Sequence, residues 1–222
     1  MGSEESVEGV DVESTAVKLE RDVDDVPLLD EERLLGMEPF EIVVNPAVGQ
    51  EFRFLETSFD AVGEFLRAEL RYQSNAESFT EHVHPKFDET FKVRSGELIV
   101  TANGDERSLG PGEQFTLPAG APHTHRSQQG IETRVLWEVR PPMAARELAR
   151  WLAALAREGK TNTDGTPNPL AMAVFLDAHP DLVYLSSPPI AVQKALFRLL
   201  APLGRRRGYV ADYPPVPTAK AK

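Results

Sequence analysis

Four of the five histidines in this 222-residue chain fall in two tight pairs, and the spacing within each pair can bring imidazoles to one point. His82 and His84 sit in the stretch EHVHPKFDE. Side chains of an extended strand alternate between its two faces, so residues two apart project the same way. Glu89 follows a turn started by Pro85, from which a neighbouring strand can present its carboxylate to the same place. His123, in LPAGAPHTH, comes directly after a Pro-Gly turn that can return a distant strand to that place. Three imidazoles and one carboxylate (His82, His84, Glu89 and His123) suit one divalent ion of the series Mn, Fe, Co, Ni, Cu and Zn, and disfavour calcium. A single inward histidine is readily explained as a hydrogen-bonded core residue. Four donors of convergent spacing favour a metal. His125, two residues beyond His123, faces the same way and is expected to support the ligands or to touch substrate.

These residues need short strands to hold them, and the sequence supplies such strands. Alternation of apolar and polar residues runs through Glu51 to Glu56, Glu64 to Tyr72, Glu97 to Ala102 and Thr133 to Val139, with turns at Asn103-Gly104, Pro111-Gly112 and Gln129-Gly130. Such spacing predicts an all-β barrel or sandwich. Pro141 and Pro142 end it, and the period changes. Leu148, Trp151, Leu152 and Leu155 share one helix face, Leu170 to Leu176 is apolar nearly all round, and a third helix is expected from near Pro189 through Leu203, with Gly204 as its stop. The expected segments are an acidic, disordered tail (1–36), a β-barrel (37–141), a helical extension (142–208) and a proline-rich tail (209–222). No internal repeat is present, so one barrel is expected.

At the histidines the chain resembles the cupin superfamily. Its first motif is matched by His82, His84, Glu89 and Gly96, without the leading glycine, which would fall at Ser74 to Ala76; its second is matched by Gly112, Pro118, Gly120 and His123, with Ser127 where the motif has asparagine. The resemblance covers roughly residues 52–139. It implies a mainly β fold, the double-stranded β-helix or jelly-roll barrel, here with a C-terminal helical extension, and it implies the same four metal ligands. Counting by two from Glu89 gives Phe91 and Val93 as inward residues. The resemblance adds Phe115, Leu117, Val135 and Trp137 as walls of an apolar, aromatic pocket above the metal, although small barrels also use such residues as core. Besides Glu89, no acidic residue is clearly inward.

Composition narrows the function further. Residues 1–36 hold 12 acidic against three basic residues, which is −9 of the formal −11, so the acidity belongs to the expected tail. The one basic run, Arg205 to Arg207, is too little for a nucleic-acid face. Without cysteine, a transition metal must be held by imidazole and carboxylate. No apolar run is long enough to span a bilayer and the start lacks a signal core, so a cytoplasmic protein is expected. Two readings stay open. One is a metal-dependent dioxygenase, an oxidoreductase acting on a small apolar or aromatic oxygen-bearing substrate, with no catalytic residue assigned beyond the ligands. The other is a non-catalytic cupin module that binds a small molecule or metal as a sensor. The apolar helices are expected to pack on the barrel, to pair across a homodimer or to lie on a membrane surface, and the segments Gly159 to Asn168 and Val183 to Pro189 to close over the barrel mouth.

Overall fold

Residues 31–76, 79–162 and 164–213 are described by the computed structural model. In chain order the strands are β1 (Glu41–Asn45), β2 (Gln50–Asp60), β3 (Gly63–Tyr72), β4 (His82–Val83), β5 (Asp88–Ser95) and β6 (Leu98–Ala102). They continue with β7 (Asp105–Leu109), β8 (Gln114–Leu117), β9 (His123–Ser127), β10 (Thr133–Arg140) and β11 (Tyr184–Leu185). The helices are α1 (Glu31–Leu35), α2 (Ala145–Arg157), α3 (Pro169–Ala178) and α4 (Ile190–Arg206). None of the described helices is long and apolar enough to cross a membrane.

The strands form two antiparallel sheets, one ordered β1-β2-β3-β10-β5-β8 and the other β11-β4-β9-β6-β7. The expected jelly-roll fold is present, as two separate sheets rather than one hydrogen-bonded ring. The inward residues of both sheets, among them Phe54, Leu70, Phe91, Val93, Val100 and Val135, meet in one buried core. Gly96, which links β5 to β6, has φ +80°, and a Cβ there would come within 2.4 Å of the Glu132 carbonyl oxygen. Only glycine fits that turn.

The helical extension is continuous with this core. Arg150 on α2 makes a paired ion contact with the buried Glu41 on β1, both at 2.6 Å, and Trp151 stacks on Phe175 of α3 at 4.4 Å. Asn168 caps α3 by accepting from the Leu170 N–H at 2.9 Å, and Pro169 opens it, as the missing proline N–H permits. Gly204 does not stop the third long helix. It lies inside α4, where a Cβ would approach the Leu170 carbonyl oxygen and Val174 to 2.6 Å, so it is the point of close helix contact. The chain leaves the helix only at Gly208, with φ +85°. Val192, Leu196, Leu199 and Leu203 remain exposed along α4.

The expected boundaries shift at both ends. Of the tail expected at 1–36, residues 1–30 lie outside the described residues. Its last part contains α1, whose Leu34 is buried against Leu55 and Leu136 on the outer face of the larger sheet. At the other end, Trp151 donates to the Val210 carbonyl at 3.2 Å, and Tyr209, Ala211 and Tyr213 pack on the core. Residues 214–222 of the expected proline-rich tail lie outside the described residues.

Candidate metal centre

The smaller sheet supplies the imidazoles. His82 on β4 and His123 on β9 are a cross-strand pair, with ring centroids 4.4 Å apart; His84, just past β4, lies 4.9 Å from His82 and 5.4 Å from His123. One ring nitrogen from each of the three lies within 4.8 Å of the others. The turn that aims His123 is tied to the first motif, because the Gly120 N–H donates to the His84 carbonyl at 2.9 Å and the Ala119 N–H to the Asp88 carboxylate at 2.7 Å.

Backbone carbonyls set the tautomer of each ring. His82 Nδ1 donates to the Thr80 carbonyl (2.9 Å), His84 Nδ1 to that of Leu182 (2.7 Å) and His123 Nδ1 to that of Ala121 (2.9 Å). A carbonyl can only accept, so the proton sits on Nδ1 and each Nε2 presents a lone pair. This is the usual second contact of a metal-binding histidine.

Glu89 comes from the larger sheet, opposite. Its Oε1 accepts from Trp137 Nε1 at 2.9 Å, while Oε2 lies 3.0 Å from His123 Nε2 and 3.5 Å from His84 Nε2. Oε2 and His123 Nε2 are both buried, and neither has a formed hydrogen bond. With Nδ1 carrying the imidazole proton, the close contact sets one lone pair against another, which is stable only with a cation or a proton between them. Two donors bound to one ion at about 2.1 Å, 90° to 109° apart, are separated by roughly 3.0–3.4 Å. The observed contacts fit that spacing.

Electrostatics favour the same arrangement. Loss of hydration lowers His82 and His84, and neighbouring imidazoles add to this, so both are neutral and available as donors. Burial also pushes His123 down, but the Glu89 carboxylate outweighs it and the net shift is upward. For Glu89, burial opposes ionisation, yet the surrounding histidines hold it below the usual carboxylate range.

His125 stands apart from the triad, its ring centroid 6.4 Å from those of both His82 and His123. Its Nδ1 is 2.9 Å from the Tyr72 hydroxyl, and burial holds it down at about 4, so the ring is neutral.

Above the histidines lies an apolar cavity of about 130 Å³. Of the wall residues expected from sequence, Trp137 lines it; Phe91, Leu117 and Val135 are instead fully buried core, and Phe115 is half-buried at the sheet margin under Arg107. The walls come largely from elsewhere: Gln50 and Phe52 of β2, Ala145, Leu148 and Leu152 of α2, and Met172 of α3. Gly165, Thr166 and Pro167 of the loop before α3, with Val183 and Leu185, complete the lining. Both segments expected at the mouth therefore contribute to it. Buried Gln193 of α4 holds β11 in position through Leu185 and Pro188, and β11 pairs with His82 through Leu185. Sequence reasoning missed the Leu182 carbonyl, since a backbone acceptor has no residue signature, and it read Trp137 as a wall without its bond to Glu89.

Residues 68–138 match the Cupin_2 family, described as a cupin domain. The tetracenomycin polyketide synthase protein TcmJ of Streptomyces glaucescens is 30% identical over 95 residues, 43% of this chain and 57% of that protein, so the match spans little more than half of its length. Among solved structures, the polyketide cyclase RemF of Streptomyces resistomycificus is 24% identical, covering 48% of this chain and 75% of its own, with a TM-score of 0.38. A sugar phosphate isomerase of the cupin superfamily from Silicibacter pomeroyi is 23% identical, covering 51% and 74%, with a TM-score of 0.37. The two facing antiparallel sheets and the match over residues 68–138 identify a cupin domain in this part of the chain.

Proposed function

We propose that the protein binds one divalent transition metal through His82, His84, Glu89 and His123, and that it is a metal-dependent oxygenase of small, apolar or aromatic, oxygen-bearing compounds. The observation that supports this is the orphaned pair Glu89 Oε2 and His123 Nε2, beside two further neutral imidazoles at the floor of an apolar cavity. A bound ion of this series supplies Lewis acidity or a redox centre toward a substrate oxygen. The chain's own residues do the rest. Carbonyls of Thr80, Ala121 and Leu182 fix the rings, Trp137 fixes the carboxylate, and Phe52, Leu148 and Leu152 exclude water.

Cavity volume limits the substrate. An engineered apolar cavity of about 150 Å³ accepts one benzene, so about 130 Å³ suits a single ring. A long polyketide chain, which the name of the Streptomyces glaucescens relative would suggest, does not fit the cavity in this form. The test is elemental analysis of protein purified without added metal, followed by oxygen uptake with single-ring phenols and small diketones. Stoichiometric metal with substrate-dependent oxygen consumption is the expected result. Metal and tight binding without turnover would favour the non-catalytic sensor reading, and equal metal in the His82→Ala, His84→Ala double variant would refute the ligand set.

A further inference from the structure

The cavity wall holds a buried amide side chain that takes no part in the metal centre. Gln50 opens β2 and pairs across the sheet with Tyr72 of β3. It is 2% exposed, it lines the cavity, and both its Oε1 and its Nε2 are buried without a hydrogen-bond partner. Its side chain neighbours the Tyr72 hydroxyl as a weak hydrogen-bonding partner, which opposes the upward shift that burial gives that hydroxyl, but the contact falls short of a full hydrogen bond. That hydroxyl is already engaged by His125 Nδ1 at 2.9 Å.

A carboxamide left in this state is destabilising, because it has given up water and gained only a weak contact in return. Buried polar groups in folded proteins are almost always paired, and a leucine or methionine would fill the same space at no such cost. Phe52 and Leu70, which line the cavity with it, carry no polar side-chain atom, and the Trp137 N–H is already given to Glu89. Gln50 therefore brings to the cavity wall a buried carboxamide whose N–H donors and carbonyl acceptor lie side by side without a formed hydrogen bond. An ionic ligand group would lose more hydration in these apolar surroundings than a neutral amide could replace. The complement is a neutral group that itself carries an adjacent donor and acceptor.

We propose that Gln50 is the specificity-determining residue of this cavity, and that it receives a carboxamide-like donor and acceptor pair, or an enol beside a carbonyl, on a ligand of single-ring size. This rests on the reading that the cavity above the histidines is where substrate binds. Gln50 and the histidines His82, His84 and His125 line the same cavity, so one small ligand can meet polar groups from both.

The test uses benzamide and acetophenone, which share ring and carbonyl and differ in an amino group against a methyl group. Dissociation constants are measured by NMR titration on wild type and on the Gln50→Leu and Gln50→Met proteins, with metal content and melting temperature taken from the same samples. The preference for benzamide relative to acetophenone is expected to fall at least tenfold in both variants, with metal content unchanged and melting temperature equal or higher. An unchanged preference overturns the proposal, since the amide would then be satisfied by water or by Tyr72. A marked drop in melting temperature in both variants would show a structural partner and overturn it as well, as would failure of the wild type to bind either compound. Proteins purified without metal in which the tenfold change between wild type and variants persists would sink the metal reading and leave Gln50 in its role; full metal with no change would do the reverse.

Discussion

Replacing Trp137 by Phe removes one hydrogen-bond donor from Glu89 and leaves the three histidines untouched. Trp137 is 5% exposed, and its Nε1–H meets Glu89 Oε1 at 2.9 Å. Without it, a buried carboxylate oxygen loses its partner, at about 1–3 kcal/mol in whichever state the carboxylate is ionised. Most of that cost is common to the metal-free and metal-bound forms. The part that reaches metal affinity is the lost orientation of the carboxylate, which for an outer hydrogen-bond partner is worth about 10–100-fold, or roughly 1.4–2.8 kcal/mol. A compensating effect would be the freed Oε1 joining Oε2 as a donor. Geometry opposes it, because Oε2 is the oxygen within 3.0 Å and 3.5 Å of the histidine nitrogens, while Oε1 points to β10. A loss of affinity is therefore expected. Phe52→Leu is the control: it removes the ring that meets Trp137 edge-on at 5.8 Å but keeps the indole N–H, and it should hold affinity within about threefold, roughly 0.7 kcal/mol. Competition with a chromogenic chelator measures both, and unfolding curves show that both variants fold. Wild-type affinity in a folded Trp137→Phe protein would refute the positioning argument.

The same titration ranks the second histidine pair: His123→Ala should lose more affinity than His125→Ala, which loses about 10–100-fold at most, and the opposite order would mean that the wrong histidine had been assigned to the metal. Because His123 is held above its ordinary value by Glu89, the proton it carries below that point must leave when metal binds. Affinity should therefore fall about tenfold per pH unit on the acid side and level off on the alkaline side, and a flat profile would show that no shared proton is displaced. Deleting residues 1–30 should leave the melting temperature nearly unchanged, whereas deletion through residue 36 removes buried Leu34 and should cost about 1.5–3 kcal/mol, read by denaturant unfolding; equal curves would show that α1 contributes nothing.

The two ends of this reasoning differ in how local their causes are. The convergence of His82, His84, Glu89 and His123 on one place was legible because strand alternation and the turns at Pro85 and Gly120 act over a few residues, and the sheets then meet with those faces inward. Alternation gives the face of a strand but not the depth along it. Phe91, Val93, Leu117 and Val135 do face inward, yet they fill the core rather than the cavity. What separates the two zones is where the roof lies, and the roof is α2, the loop before α3 and β11. Its position depends on contacts between residues over one hundred positions apart, such as Arg150 with Glu41, and no local pattern encodes them. Gly204 shows the same limit, since its helix-stopping propensity yields to close packing on Leu170 and Val174. The helical extension also supplies the Leu182 carbonyl that fixes His84 and the strand that pairs with His82. A truncated chain ending after β10 would keep all four candidate donor residues and lose the contacts that orient two of them, so the candidate metal centre depends on the whole fold rather than on the matched segment alone.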